Sequence, residues 1–338
     1  MDLQTSAKTF SNTPNAEHAP HIRQRIAIDL RANLILLCAV AVSIVLLFIV
    51  WPYLLTRYGA AALWLALPLV LFAPTHWGLI HEAIHGQLLG TRRLNELLGR
   101  SLAIAYWLPF DAVRFGHLMH HRFTREPYDQ PDVHHLATNR IAARLAYTLR
   151  LLGGLYVAEL AIPLLAFLPP AFAARIVARS IGADGPSGSD VQRLFVGFAT
   201  NVDRRRRIRR DWILSLCVHV LALHLYGKWW PALVATIYLR GVWLSLADNL
   251  PHYDVSLDEP QRARNFSVPA LWRPILMNHH LHQLHHRYPT LPWTALPALS
   301  RDNAQPPSSA DSGASYFGAA LRQFLRFGKV LNRTSGTR

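Results

Sequence analysis

At 338 residues the chain is long enough for two domains, but 51% hydrophobic and only 16% charged residues read as one membrane-embedded unit. The formal net charge of +15 is almost all arginine, the lysines being Lys8, Lys228 and Lys329, and it flanks apolar runs. That distribution fits a lipid bilayer as partner, under the positive-inside rule, and no nucleic acid. Cys38 and Cys217 lie in apolar runs and supply neither a disulfide framework nor a C-x-x-C motif.

The polar segment 1–30, rich in Ser, Thr, Asn and Pro at its start, reads as a disordered cytosolic tail. Ala32 to Leu55 is long and apolar enough to span a bilayer, with Trp51 and Tyr53 as an interfacial aromatic belt. A turn at Arg57–Gly59 and a second apolar run, Ala60 to Ile80, complete a hairpin and return His81 to the starting side. Leu94 to Phe110 carries Asn95, Glu96 and Arg100 and predicts a helix lying on or dipping into the membrane. A polar loop, R-E-P-Y-D-Q-P-D, follows at Arg125 to Asp132.

Leu151 to Pro169 is apolar enough to cross, but Gly153, Gly154, Glu159 and Pro163 interrupt it. A crossing there would put Arg175, Arg179 and the run Arg204 to Arg210 outside, so a re-entrant or interfacial segment is expected. Gly182 to Asp190 has the composition of a loop. The run R-R-R-R-I-R-R at 204–210 reads as a clamp on lipid headgroups before a second hairpin, Asp211 to Tyr226 and Trp230 to Ala247, turned at 227–231. Residues 31–299 form the expected membrane domain. Residues 300–338 read as a loop followed by a basic amphipathic surface helix, Ser315 to Val330. The predicted fold class is an all-α integral membrane protein. It has two transmembrane helical hairpins and a cytosolic cap, with both termini cytosolic and, in a bacterium, the inner or plasma membrane as its site.

Histidines organise the rest. In N-H-H-L-H-Q-L-H-H-R-Y-P, Asn278 to Pro289, His282, His285 and His286 sit at i, i+3 and i+4. On a helix that spacing places three imidazoles on one face, a poor surface for packing and a good one for metal. His117, His120 and His121 repeat it in H-L-M-H-H, and His81 and His85 form an i, i+4 pair in H-E-A-I-H. Eight histidines exceed the four ligands of one tetrahedral zinc and imply two ions. Imidazole suits iron as well as zinc, and iron can exchange electrons where zinc cannot.

H-x-x-x-H, H-x-x-H-H and a late H-x-x-H-H, set between two apolar hairpins, resemble the boxes of the membrane fatty acid desaturase and hydroxylase superfamily. The resemblance covers roughly residues 30–295. It implies two iron ions held by His81, His85, His117, His120, His121, His282, His285 and His286, with O2 as co-substrate. The superfamily also has a histidine after its fourth spanning helix, preceded by a polar residue four positions earlier. D-N-L-P-H at 248–252 matches that place, which makes His252 a ninth expected ligand, with Asp248 where the family has Asn. Asp248, Glu82 and Asn278 are the expected outer partners. His18, His21, His219 and His224 read as tail or packing residues. His76, His134, His135, His279 and His280 lie near the boxes without belonging to them.

The resemblance implies an oxygen-dependent oxidoreductase acting on an unactivated C–H bond of a fatty acyl or other long apolar chain, with desaturation as the first reading. Hydroxylation, ketolation (of a carotenoid or an alkyl chain) and oxidative decarboxylation to a terminal alkene are alternatives on the same centre. The chain has no H-P-G-G haem motif, rubredoxin cysteines or Cys₄ run. Electrons must then come from a separate donor of ferredoxin or cytochrome b5 type, docking on the basic face. H-E-A-I-H is also formally the zinc metallopeptidase motif with Glu82 as general base, but an intramembrane zinc peptidase would leave two boxes unexplained. A metal transporter would need polar ligands within the membrane, whereas these histidines cluster at helix ends.

Overall fold

The computed structural model describes residues 27–135, 139–154, 160–255, 262–302, 314–325 and 331–333. The proposed tail therefore lies almost wholly outside the described residues, as does most of the loop after 300. The described chain is helical apart from a three-residue parallel pairing of Val133–His135 with Leu331–Arg333.

The first helical stretch contains α1 (Leu30–Val45), α2 (Trp51–Tyr58), α3 (Ala66–Leu71) and α4 (Ala73–His85). Asp29 caps α1 through an Oδ1 that accepts from Ala32 N at 2.9 Å. The stretch reverses at Gly59, whose φ of 63° lies in the left-handed region that only glycine enters freely. Asn33 near the start of α1 thereby meets the chain just beyond α4, donating to Leu88 O at 2.9 Å. After Gly86, left-handed at φ 78°, α5 (Arg92–Ala105) and α6 (Phe110–Arg122) follow. Asn95 ties α5 to α4: its Nδ2 donates to Ala83 O at 2.6 Å and its Oδ1 accepts from Leu88 N at 3.0 Å.

Beyond the polar loop come α7 (Arg140–Leu149), α8 (Pro170–Ile181) and α9 (Gly188–Thr200), so the loop expected through Asp190 ends at Ser187. Between α7 and α8 the chain breaks at Gly153, φ 156°, and residues 155–159 lie outside the described residues. The second long stretch is α10 (Val202–Tyr226) and α11 (Trp230–Asn249), reversing at Gly227, φ 51°. The chain then forms α12 (Trp272–Ile275), α13 (His282–Arg287), α14 (Leu296–Asp302) and α15 (Tyr316–Leu325).

Leu30–His85 and Val202–Asn249 each contain a window long and apolar enough to cross a membrane. Their outward faces carry large apolar side chains with no protein cover, among them Ile35, Val42, Ile49, Trp64, Val220 and Leu221. A continuous band of this kind is costly in water and neutral in lipid. The two glycine turns meet at one end: Tyr226 donates to Leu47 O at 2.6 Å and stands edge-on to Trp51 at 5.8 Å. Trp51 is fully buried and donates to Ala62 O, so it belongs to the core and only Tyr53 is free to face a membrane interface.

The arginine run is divided. Arg205 is buried and donates to Leu165 O and Ala199 O, Arg207 grips Asp111 through Nε and Nη2, and Arg210 binds Asp211, while Arg206, Arg209 and Arg210 remain exposed. Arg100 joins Asp111 to Asp211, so this network pins the start of α10 to α5 and α6. The C-terminal helix α15 packs one face, with Tyr316, Ala320 and Gln323 buried and Gln323 donating to Tyr147 OH at 2.8 Å, and leaves Leu321 and Arg322 exposed on the other.

Candidate metal centre

All nine histidines expected as ligands converge, and they divide into two groups. His81, His85, His117, His121 and His285 form one; His120, His252, His282 and His286 form the other. Within each group the ligand atoms all lie within 4.8 Å of one another. The division explains the spacing of the boxes. Each H-x-x-H-H segment gives two histidines one helical turn apart to one group and its middle histidine to the other. His117 and His121 of α6 join the first group while His120 crosses to the second. His282 and His286 of α13 join the second while His285 crosses to the first. One helix face thus serves two adjacent centres, and the rings of His121 and His286 stack across the divide at 4.3 Å.

The inward atoms are Nε2. His85 and His117 approach at 2.9 Å, His117 and His121 at 3.0 Å, and His121 and His285 at 3.0 Å. In the second group His252 lies 3.1 Å from both His120 and His282, and His286 lies 3.1 Å from His282. Nitrogens bound to one ion at about 2.1 Å stand about 3 Å apart when they meet at right angles, and about 3.4 Å apart at tetrahedral angles. The donor set therefore fits an ion with right-angled ligands in each group, and a group of five exceeds a tetrahedral shell. His81 Nε2 is buried without a hydrogen-bond partner, the condition of an atom whose partner is a metal.

His252 reaches the site because α11 stops. The helix ends at Asn249, and a turn closed by His252 N donating to Asn249 O at 3.2 Å brings the imidazole beside α6 and α13. Its Nδ1 donates to Arg262 O at 2.9 Å, which leaves Nε2 as the free lone pair. Burial, then the charge of His120, pushes His252 down to about 3. Burial and the neighbouring imidazoles likewise hold His117, His121, His282, His285 and His286 well below the ordinary histidine value. All are neutral near pH 7, as metal binding requires.

His120 differs. Burial opposes its charge, but Asp129 outweighs that effect and raises it. Its Nδ1 lies 2.8 Å from Asp129 Oδ2, which also accepts from Arg125 N at 3.1 Å. Sequence reasoning missed Asp129. It sits in the polar loop nine residues after His120, with no helical register joining the two, and its one signal was a carboxylate close behind a box. Arg125 and Asp132, the two ends of that loop, form a buried ion pair. Arg125 also donates to Val255 O at 3.2 Å, and Asp132 accepts from Asp254 N at 3.0 Å. This clamp fastens the loop behind α6 to the backbone just past His252.

The expected outer partners fare unevenly. Glu82 is buried; its Oε2 accepts from Trp293 N at 3.3 Å, and its Oε1 lies 3.6 Å from His81 Nδ1. Asn278 takes a left-handed conformation, φ 55°, and donates to Trp293 O at 3.1 Å. Asp248 is half-buried, close enough to bear on His120. His76 is committed elsewhere, with Nε2 3.0 Å from Leu102 O and Nδ1 accepting from Arg240 at 2.9 Å. His219 donates to Ser215 O at 2.8 Å and packs on Trp107. The side chains of His134 and His135 lie outside the described residues.

Beside the first group is a cavity. His81, His282 and His285 line one side, and Trp77, Gly78, Leu244, Met277 and Trp293 make most of the rest apolar. Gly78 is needed there, since a Cβ would fall 2.5 Å from Met277 Sδ.

Imidazoles at this density, set at the end of an apolar helical scaffold, form two clusters able to hold metal ions. Family comparison carries this further. The fatty acid desaturase family matches residues 58–319, more than half of the chain, and the chain belongs to that family. Membership makes it a fatty acid desaturase-like oxidoreductase. Among curated proteins none matches the sequence.

Proposed function

We propose that the chain is an integral membrane, oxygen-dependent di-iron enzyme that oxidises an unactivated C–H bond of a fatty acyl or related lipid chain, desaturation being the reaction. The observation that carries this reading is the pair of histidine groups, five and four, with their Nε2 atoms converging. Two irons would be held by these nine imidazoles, and when bound they supply the redox chemistry that activates O2.

The chain's own residues do the rest. The ring contacts of α4, α6 and α13 fix the imidazoles before metal arrives, and the Asp129 carboxylate and Arg262 carbonyl orient His120 and His252 from behind. The apolar cavity takes the alkyl chain against the first group and keeps water from it. The two long helical stretches are membrane hairpins whose glycine turns lie at the end away from the histidines, with the histidine end cytosolic. Exposed Arg122 and Arg287 directly follow His121 and His286, which puts positive charge where an acidic electron donor can approach the metals. A zinc peptidase is disfavoured because Glu82, its required base, is buried and held by the Trp293 backbone.

Lipid analysis of a host expressing the chain tests the proposal. A new unsaturated acyl product should appear with the native chain and vanish with His285→Ala. An unchanged lipid profile with iron-loaded protein would reject it, and a hydroxylated, ketonic or terminal-alkene product would move the assignment to that outcome.

A further inference from the structure

The chain between His252 and His282 does not stay at the histidine end. Thr75, in the first turn of α4 and fully buried, donates from Oγ1 to Ile275 O of α12 at 2.6 Å. Two residues on, Met277 packs against Gly78 of the same helix. Thr75 precedes His81 by six residues, about 9 Å of helix toward the glycine turns. The helix α15 reaches the same level on the other long stretch. Phe317 lies parallel to Trp243 of α11 at 6.2 Å between ring centres and meets the Trp272 ring at 4.9 Å. Trp243 precedes the end of α11 by six residues, again about 9 Å.

That level is the edge of the exposed apolar band. Four residues before Thr75 and before Trp243, Leu71 and Leu239 are exposed. Thr75 follows Gly59 by 16 residues, at most about 24–28 Å of α- and 3₁₀-helix, which falls inside a hydrocarbon core of about 30 Å. At this edge the chain around α12 turns its side chains outward: Pro269, Ala270, Leu271, Arg273 and Pro274 are exposed, Leu271 by 75%. On α15 Leu321 and Arg322 are exposed. One exposed leucine in water needs no explanation. Leu271, however, stands beside the apolar band, and Leu321 is on the helix that meets it. Each has an arginine within two residues, the apolar anchor and basic head that interfacial elements offer to acyl chains and anionic headgroups.

Taking the two long apolar stretches as the membrane hairpins of the proposed enzyme, we infer that residues 269–275 and the exposed face of α15 are immersed in the leaflet on the histidine side. Their partner is the lipid of that leaflet, with acyl chains against Leu271 and Leu321 and anionic headgroups against Arg273 and Arg322. The segment that carries the third histidine box is then anchored in lipid, where the sequence led to an aqueous cap. Leu276 and Met277, next in the chain, are buried and line the cavity, so one wall of the cavity lies a few residues from the bilayer.

Site-specific labelling tests this. Cys38 and Cys217, both exposed, are replaced by serine in the full-length chain, and one cysteine is introduced by Leu271→Cys, Leu321→Cys, Val220→Cys or Thr290→Cys. Val220 is on the exposed apolar face of α10, and Thr290, exposed just past the third box, is the aqueous reference. Each variant is labelled with the fluorophore NBD in nanodiscs of phosphatidylcholine and phosphatidylglycerol. Labels at positions 271 and 321 should emit at shorter wavelength than at 290. They should be quenched by lipid carrying a nitroxide near the top of its acyl chain and should resist iodide; position 290 should do the reverse. Before labelling, the thiol at 271 should react with a charged maleimide at least about tenfold more slowly than that at 290, since apolar surroundings disfavour the thiolate. Iodide quenching without nitroxide quenching at 271 or 321, or equal maleimide rates at 271 and 290, would overturn immersion of that element. If position 220 is nitroxide-quenched in the same experiment, the hairpins stand and only this inference falls. Iodide quenching at 220 as well would bring down the membrane reading and this inference with it.

Discussion

Replacing Arg125 with Ala should unfold the protein's histidine end from outside the metal shell. Arg125 and Asp132 have side chains only 1% exposed, and their ion pair joins the loop behind α6 to the backbone that follows His252. Removing the guanidinium strands the Asp132 carboxylate in a buried site with one remaining donor among the described residues, Asp254 N. Breaking a buried pair from one side costs about 3–5 kcal/mol, most of it the uncompensated charge. For a chain of this size that corresponds to a fall of roughly 4–7 °C in unfolding temperature, read by thermal unfolding in a mild detergent. The double variant Arg125→Met, Asp132→Leu should recover most of the loss, since no charge is then stranded. Iron content should follow the single variant down, because Val255 is three residues past His252. A single variant that unfolds within 2 °C of the native chain, roughly 1 kcal/mol, would refute the clamp.

His252→Ala should abolish turnover as fully as His285→Ala and lower the iron content, whereas His280→Ala, outside both groups, should be milder; normal turnover and iron in the His252 variant would remove it from the centre. Asp129→Asn keeps the shape of the partner of His120 but not its charge, and iron should be stripped by a competing chelator at roughly 10- to 100-fold lower concentration. Chelator resistance equal to that of the native chain would make Asp129 a loop residue only.

The metal groups were legible in the sequence because helical periodicity is local: three spacings fixed which imidazoles share a face. His252 was reached by resemblance, and Pro251, which counted against a helical position, leaves Leu250 in the helical region and His252 within reach of His120. What stayed hidden depends on distant parts of the chain. Trp51 looks like a belt residue until Ala62 and Tyr226 close over it. The arginines at 204–210 show in sequence no sign that Asp111 and Asp211 pair with two of them. Asp129 reaches the site from 8 residues beyond the nearest box in sequence, through a contact that no periodicity encodes.

The measurement that bears most directly on the centre is metal analysis of protein purified from membranes in mild detergent, paired with Mössbauer spectroscopy of iron-57-loaded material. Two irons per chain are expected, one for each histidine group, with both lost or halved in His120→Ala and His285→Ala while the protein still accumulates. One zinc per chain, with iron absent and the histidine variants unchanged, would contradict the di-iron centre.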